Sequence, residues 1–188
     1  MKQFPRLLLA AFLAGSVLAT PQQILAQTFD ELWQQAETAQ QEGNYGQMES
    51  ILRQATGLYP RLAVGYYGLG IALAAQNKPN EALDAFCRAF QLNYNNADLF
   101  VGLGVAFQDL GYYNDALNAF DRAIELDPTN AIAYNDLGVV LQELGRQQAA
   151  IEAYQRAIAL DPEWPVPQNN LDMLTGNSET DDTMAREN

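Results

Sequence analysis

The chain has 188 residues, of which 48% are hydrophobic and 18% are charged, a composition typical of one globular unit with a continuous core. It contains no histidine, which removes the most common general base and metal ligand, and its single cysteine excludes an intrachain disulfide. The formal net charge of −13 disfavours binding to phosphate backbones and favours basic partners.

The first 26 residues have the pattern of a secretory signal peptide. Two basic residues precede an apolar or small run over 7–19, which is too short to span a bilayer comfortably. We predict a leader over 1–26 that is cleaved before Gln27, with cleavage after Ala19 as the second option. An uncleaved anchor and a buried core helix are the alternatives. Cleavage places the mature chain outside the cytoplasm, in a periplasm-like compartment or secreted, without stable membrane insertion.

A helix is predicted to begin at Phe29, just after the leader. Thr28 and Glu31 form a capping-box pattern, in which each side chain satisfies a backbone N–H of the other residue. This helix opens a unit over 29–62 that matches the later units only in part. Such divergence is expected of a terminal unit, because one of its flanks faces water.

Three further units follow over 63–96, 97–130 and 131–164. The last two agree at an offset of 34 residues, in the pairs Phe100 and Tyr134, Leu103 and Leu137, Gly104 and Gly138, Phe107 and Leu141, Gly111 and Gly145, Ala116 and Ala150, Phe120 and Tyr154, Ala123 and Ala157, and Pro128 and Pro162. A fixed period of this size indicates stacked small units, none of which buries its apolar face alone. Each unit is predicted to contain two antiparallel helices of about fourteen residues.

Local signals mark the ends of these helices. Asn77 stands where the other units have a glycine between their paired helices, and it suits a left-handed backbone. Pro79 follows at the first turn of the next helix, where its missing N–H does no harm. Asn96 and Asn130 are predicted to cap the helices that open the third and fourth units.

Three glycines recur at one register inside the first helix of a unit: Gly70, Gly104 and Gly138. Glycine inside a helix costs about 1 kcal/mol relative to alanine, so close approach of the paired helix must compensate. We expect each glycine to face a small residue of that helix, namely Ala82, Ala116 and Ala150. The aromatic residue four positions after each alanine is then expected to fill the gap before the next unit. These aromatic residues are Phe86, Phe120 and Tyr154.

The end of the chain divides into a helix and a tail. Pro165 and Pro167 open a predicted capping helix over 165–175, which uses Leu171 and Leu174 to seal the last unit. Residues 176–188 hold four acids and no large apolar residue except a methionine, and they are predicted to form a disordered acidic tail.

The repeated pattern resembles the tetratricopeptide repeat, in which a large residue, Leu-Gly, an aromatic residue or Leu, Ala, an aromatic residue, Ala and Pro recur at these spacings. The resemblance implies an all-α fold over 27–175. It implies a right-handed superhelical solenoid of about four helix-turn-helix repeats plus the C-terminal capping helix.

In proteins of this family the first helices of successive units line a concave groove. Projected onto this chain, the resemblance predicts a partner-binding groove made by Trp33, Glu37, Val64, Tyr67, Ile71, Asp98, Val101, Val105, Gln108, Asp109, Asn135, Val139, Gln142 and Glu143. An aliphatic inner stripe with an acidic rim fits an apolar peptide or helix that carries Lys or Arg. The alternative is that these residues only pack between units, and for Ile132 that alternative has equal weight.

These features predict an interaction protein that acts as a scaffold, adaptor or assembly factor. No nucleophile–base pair or calcium loop appears, so we predict no enzymatic activity, no cofactor and no metal. The places where one branch of the family holds a terminal carboxylate carry no Lys or Arg, which disfavours that ligand. A self-associating structural solenoid without a separate ligand is the alternative.

Overall fold

The computed structural model describes residues 28–176. The predicted leader, and all of the predicted tail except Gly176, lie outside the described residues. Within that range the backbone forms α-helices and no strand. The helices are α1 Phe29–Gln41, α2 Tyr45–Leu58, α3 Ala63–Ala74, α4 Pro79–Gln91, α5 Ala97–Asp109, α6 Tyr113–Leu126, α7 Ala131–Glu143, α8 Gln147–Leu160 and α9 Pro165–Thr175. No helix in this part of the chain is long and apolar enough to cross a membrane.

Consecutive helices form four pairs, α1–α2, α3–α4, α5–α6 and α7–α8, and α9 follows the last pair. The second helix of each pair also packs against the first helix of the next pair. In addition α3 contacts α5, α5 contacts α7, and α7 contacts α9, whereas the second helices make no comparable contact within the described range. The first helices therefore form the inner layer of a curved stack, because curvature brings inner elements closer together. The predicted all-α solenoid with a final helix is confirmed.

The turn inside each pair depends on one residue with a left-handed backbone. Gly43, Asn77, Gly111 and Gly145 have φ angles of 68°, 58°, 76° and 71°. Each of these residues lies two positions before the first residue of the next helix. Glycine has no Cβ to clash in this conformation, and asparagine is among the few other residues that tolerate it. The predictions for Asn77 and for Pro79 at the start of α4 are confirmed.

The predicted N-terminal caps are also present. The N–H of Glu31 donates to Thr28 Oγ1 at 3.3 Å, and the N–H of Thr28 donates to Glu31 Oε2 at 2.9 Å. Asn96 and Asn130 each accept a backbone N–H at 2.9 Å through their side-chain oxygen. These bonds satisfy donors that the first turn of a helix leaves without an intrahelical partner.

The recurring glycines make room for aromatic rings and not for alanines. A Cβ added to Gly70, Gly104 or Gly138 would lie 2.5–2.6 Å from the ring of Phe86, Phe120 or Tyr154. The expectation that an alanine faces each glycine is therefore wrong, since the nearest atoms all belong to these rings. The ring of Phe86 also reaches the next unit, where a Cβ on Gly102 would lie 2.7 Å from it. The predicted filling of the gap between units is thus confirmed for Phe86.

The last helix, α9, closes the apolar end of the stack. Leu171 and Leu174 pack against a buried cluster that includes Leu141 and Tyr154, and Pro167 is itself buried. Without α9 this surface of the α7–α8 pair would face water.

Candidate binding groove in the inner helix layer

A cavity of about 250 Å³ opens between α3, α5 and α7. Its lining combines aromatic and aliphatic side chains with a few polar groups: Tyr67, Ile71, Phe86, Asp98, Val101, Gly102, Asn130 and Ile132. These residues come from three successive units, so the cavity exists only because the units stack. Asp98 is exposed, whereas the ring of Phe86 is buried.

Tyr67 forms one wall of this cavity and is held by two other rings. Its ring stacks on Tyr94 with centroids 4.8 Å apart and lies 6.0 Å from the ring of Phe86. Burial raises the pKa of Tyr67 to about 12, and the nearby charges of Asp98 and Tyr94 act in the same direction. The phenol therefore stays neutral at physiological pH and can donate a hydrogen bond.

The charge of the groove is set by an asymmetry between the two helix layers. The first helices α1, α3, α5, α7 and α9 contain no Lys or Arg, but they contain Asp30, Glu31, Glu37, Asp98, Asp109, Asp136, Glu143 and Asp172. The basic residues of the described range all lie on the second helices or in connections: Arg53, Arg61, Lys78, Arg88, Arg122, Arg146 and Arg156. The inner layer thus presents apolar and acidic groups without a positive charge.

At the N-terminal end of the groove, Trp33 and Val64 are half-buried. The indole Nε1 of Trp33 donates to Glu37 Oε1 at 2.7 Å, and the ring stacks near Phe29 with centroids 6.0 Å apart. A Cβ on Gly68 of the next unit would lie 3.0 Å from the indole. Trp33 therefore packs between the first two units while one edge stays accessible.

At the C-terminal end, Asn135 is covered by α9 and has only 4% of its surface exposed. Its side-chain amide donates to Asp136 Oδ1 at 3.0 Å, and its carbonyl oxygen accepts from Asn170 Nδ2 at 2.9 Å. Asn135 thus connects α7 to α9 and presents almost no surface to a partner.

Asp136 and Tyr154 lie beside this hydrogen-bonded pair of asparagines. Burial raises the pKa of Asp136 to about 6, against a smaller lowering by the hydrogen bond from Asn135. The Tyr154 hydroxyl donates to Gln142 Oε1 at 3.1 Å, and burial with the charges of Asp136 and Glu143 raises its pKa to about 12.

The remaining predicted residues lie outside the cavity. Val105 and Val139 are half-buried and pack against core clusters that contain Phe120 and Tyr154, so they contribute to the packing between units. Gln108 is half-buried, whereas Asp109, Gln142 and Glu143 are exposed. Partial loss of water around its carboxyl raises the pKa of Asp109.

Sequence reasoning therefore located one part of the cavity and missed another. Of the predicted residues, the structure brings Tyr67, Ile71, Asp98 and Val101 together in it. The residues that were not predicted are Phe86, Gly102 and Asn130, together with Tyr94 behind Tyr67, whereas Ile132 had been given equal weight for the groove and for packing. Ile132 has 53% of its surface exposed and lines the cavity, so it is not a core residue.

Comparison with known proteins agrees with this geometry. Residues 101–165 match the family model described as tetratricopeptide repeat. This segment is similar to the tetratricopeptide repeat family. The matched segment covers most of the third and fourth helix pairs, and the first two pairs also have a residue with a left-handed backbone at the same register. No curated protein sequence matches the chain.

Several solved structures share this tetratricopeptide repeat fold. MamA from Desulfovibrio magneticus RS-1 is 21% identical, with a TM-score of 0.71 over 86% of this chain and 91% of that one. Pseudomonas aeruginosa pilF is 20% identical, with a TM-score of 0.71 over 79% and 68%. YrrB, described as a TPR protein with an unusual peptide-binding site, is 24% identical, with a TM-score of 0.62 over 81% and 76%. At these identities the likeness establishes the fold alone.

Proposed function

We propose that this tetratricopeptide repeat protein binds another protein through its inner groove and acts outside the cytoplasm as a scaffold, adaptor or assembly factor. The observation that carries the proposal is the combination of an apolar cavity with an inner layer that has acidic but no basic side chains. An aliphatic side chain of a partner fits the cavity, and a Lys or Arg beside it meets a complementary charge.

The size of the cavity limits what it holds. About 250 Å³ accommodates one or two aliphatic side chains, and burial of each contributes roughly 1.5–3 kcal/mol before the entropy of ordering the segment is subtracted. One such anchor gives weak binding, so the partner segment must also contact the acidic rim. The solved structure of YrrB, with its peptide-binding site, shows that the same fold supports peptide recognition in that protein.

Affinity capture with an Ile132→Glu variant tests this function. Ile132 lines the cavity and is 53% exposed, so a carboxylate there should leave the fold intact. The hydrated charge should prevent a partner's aliphatic side chain from being buried in the cavity. Tyr112→Glu is the matched control, because Tyr112 is 55% exposed and does not line the cavity. Wild type and control should capture the same partner from a native extract, and Ile132→Glu should lose it. Equal capture by all three proteins would contradict binding of the partner in the groove.

Export is the second part of the proposal and rests on the N-terminal sequence. Lys2 and Arg6 precede the apolar run, as in a signal peptide. The net negative charge of the rest of the chain disfavours binding to nucleic acid. The intact mass of the protein purified from its native source should lack residues 1–26. A full-length mass in the cytoplasmic fraction would contradict export.

End-to-end self-association is the second candidate function. Val166 and Met173 lie two turns apart on α9 and are 41% and 68% exposed, so the last helix presents an uncovered apolar strip. The net charge of −13 opposes the association of two copies. Sedimentation at several concentrations separates the candidates, since a monomer at every concentration removes this one.

A further inference from the structure

Asp136 occupies a register at which the two preceding units have glycine. Gly68 and Gly102 are its counterparts in the second and third units. A Cβ on Gly102 would collide with the ring of Phe86, and Gly102 lines the cavity. The fourth unit therefore has a carboxylate at the position where the third unit has a glycine without a side chain.

Asp136 lies on α7 one turn beyond a residue that lines the cavity, although it does not line the cavity itself. Ile132, which lines the cavity and is exposed, lies four residues earlier on the same helix face. One helical turn, about 5.4 Å, separates the two positions along the helix axis. A segment that is seated on Ile132 and runs along α7 would therefore pass the position of Asp136 one turn later.

Asp136 is mostly buried and has no basic partner. No Lys or Arg forms a salt bridge with it anywhere in residues 28–176, and its hydrogen bond comes from the neutral amide of Asn135. A carboxylate removed from water without a cation is unfavourable, and this carboxyl holds its proton to a pKa of about 6. A positive charge supplied from outside the chain would relieve that penalty.

The groups that surround Asp136 do not supply such a charge. From α7 itself comes Asn135, and α8 contributes Tyr154, whose pKa the charge of Asp136 raises. Through Asn135 the network reaches Asn170 on α9, which is neutral. No charged group of α5 or α6 shifts the pKa of Asp136.

We infer that Asp136 accepts the Lys or Arg side chain of a protein segment whose adjacent apolar residue occupies the cavity beside Ile132. This inference deepens the proposed function and rests on it. The exposed acids Asp98 and Glu143 contribute less to such a pair, because water screens charges at the surface. The sheltered carboxylate of Asp136 therefore decides which basic segments bind.

Selection of random dodecapeptides displayed on phage tests the inference with the full-length chain as bait. Three baits are used in parallel: wild type, Asp136→Asn and Asp115→Asn. Asn135 can still donate to the new amide oxygen at position 136, so that variant should keep its fold. Asp115 lies at the start of α6 and is exposed, and its substitution changes the net charge equally but leaves the inner layer unchanged.

Wild type and Asp115→Asn should enrich peptides with Lys or Arg beside an aliphatic residue, whereas Asp136→Asn should enrich aliphatic peptides without that basic preference. Equal basic preference with all three baits would overturn the role of Asp136 and leave the groove function intact. If Ile132→Glu binds the selected peptides as well as wild type does, the groove itself is not their site, and the proposed function fails together with the inference.

A direct affinity measurement then isolates the charge. One selected peptide is compared with its counterpart in which norleucine replaces lysine. Lysine should improve affinity for wild type by about tenfold at pH 7.5, the size of one charge-assisted hydrogen bond. The advantage should vanish at pH 4.5, where the Asp136 carboxyl is protonated, and should be absent from Asp136→Asn at both pH values. An unchanged lysine advantage in Asp136→Asn would overturn the inference.

Discussion

At the scale of single residues, the packing of the last three units depends on a glycine, which has no side chain. Gly104 provides the space that the ring of Phe120 fills, and the same relation holds for Gly70 with Phe86 and for Gly138. The rings are 0–1% exposed, so their burial offsets the unfavourable helix propensity of glycine.

Gly104→Ala should therefore destabilise the fold. The new Cβ would lie 2.5 Å from the Phe120 ring, and overpacking of this kind costs about 1–3 kcal/mol, more than alanine returns in helix propensity. Gly57→Ala is the control, since Gly57 lies in α2 and an added Cβ there would meet no atom within 4 Å beyond its chain neighbours and the backbone of its own helix. That variant should be more stable than wild type by up to about 1 kcal/mol. Chemical unfolding followed by circular dichroism measures both, and equal stability of the two variants would contradict this account.

Asp136 has the opposite effect, because its ionised carboxyl is expected to lower the stability of the fold. Its folded pKa of about 6 exceeds the ordinary value of 3.8, so the native state binds a proton more tightly than the unfolded chain does. The favourable contribution of the protonated carboxyl is complete below about pH 4 and is lost as pH rises through about 6. Asp136→Asn should accordingly exceed wild type in stability by about 1 kcal/mol at pH 7.5, since partial solvation reduces the full effect of the shift.

The same comparison at pH 3.5 provides the control for that prediction. There both proteins carry a neutral group at position 136, and their melting temperatures should differ little. A wild type that is the more stable protein at pH 7.5 would show that Asp136 contributes favourably to the fold, contrary to the structure.

At the scale of elements, ion pairs connect neighbouring helices of the outer layer, where direct packing is sparse. Glu49 on α2 accepts from Lys78 Nζ, which precedes α4, and from Arg53 Nε, both at 2.7 Å. Arg53 also pairs with Glu81 on α4. The hydrogen bonds from Lys78 and then Arg53 lower the pKa of Glu49 to about 2.

Glu49→Gln should lower the free energy of unfolding by roughly 1 kcal/mol at pH 7, the order of a partly exposed network. The folded pKa lies below the ordinary value of 4.5, so this stabilisation is present above pH 4.5 and is lost as pH falls toward 2. Glu125→Gln is the control, because Glu125 pairs with Arg122 inside one helix and is well exposed. Guanidinium would screen the charges, so urea unfolding is the measurement, and equal effects of the two variants at pH 7 would contradict a special role for Glu49.

At the scale of the whole molecule, each helix pair within residues 28–176 packs only against its neighbours in the stack. Stability in such an array is a sum over units and the interfaces between them, so the ends open more readily than the middle. Among the described helices, the α3–α6 region has an interface on both sides, whereas α1 and α9 each have one flank against which no other described helix packs.

Amide hydrogen exchange should therefore be slowest in α4 and α5 and fastest in α1 and α9 among the described helices. Mass spectrometry of exchanged peptides at pH 7 provides the measurement. Equal protection from α1 to α9 would show that the chain unfolds as a single cooperative unit, contrary to the prediction.

Local signals predicted much of the fold because they act over a few residues. The capping box at Thr28, the left-handed Asn77 and the proline that starts α4 depend on backbone geometry within one or two turns. The register of the groove was predicted only in part. Tyr67 and Ile71 follow from helical periodicity, but Tyr94 lies in a connection, where periodicity carries no information about which surface a ring faces.

The amino-acid sequence by itself determined the repeating helix pairs, their turn positions and the absence of positive charge from the first helices. Only the tertiary structure decided which ring covers which glycine, that Ile132 faces the groove, and that Asp136 loses most of its water without gaining a cation. Burial and pairing depend on residues that are distant along the chain, such as Asn135 and Asn170, and they are defined only when successive units stack.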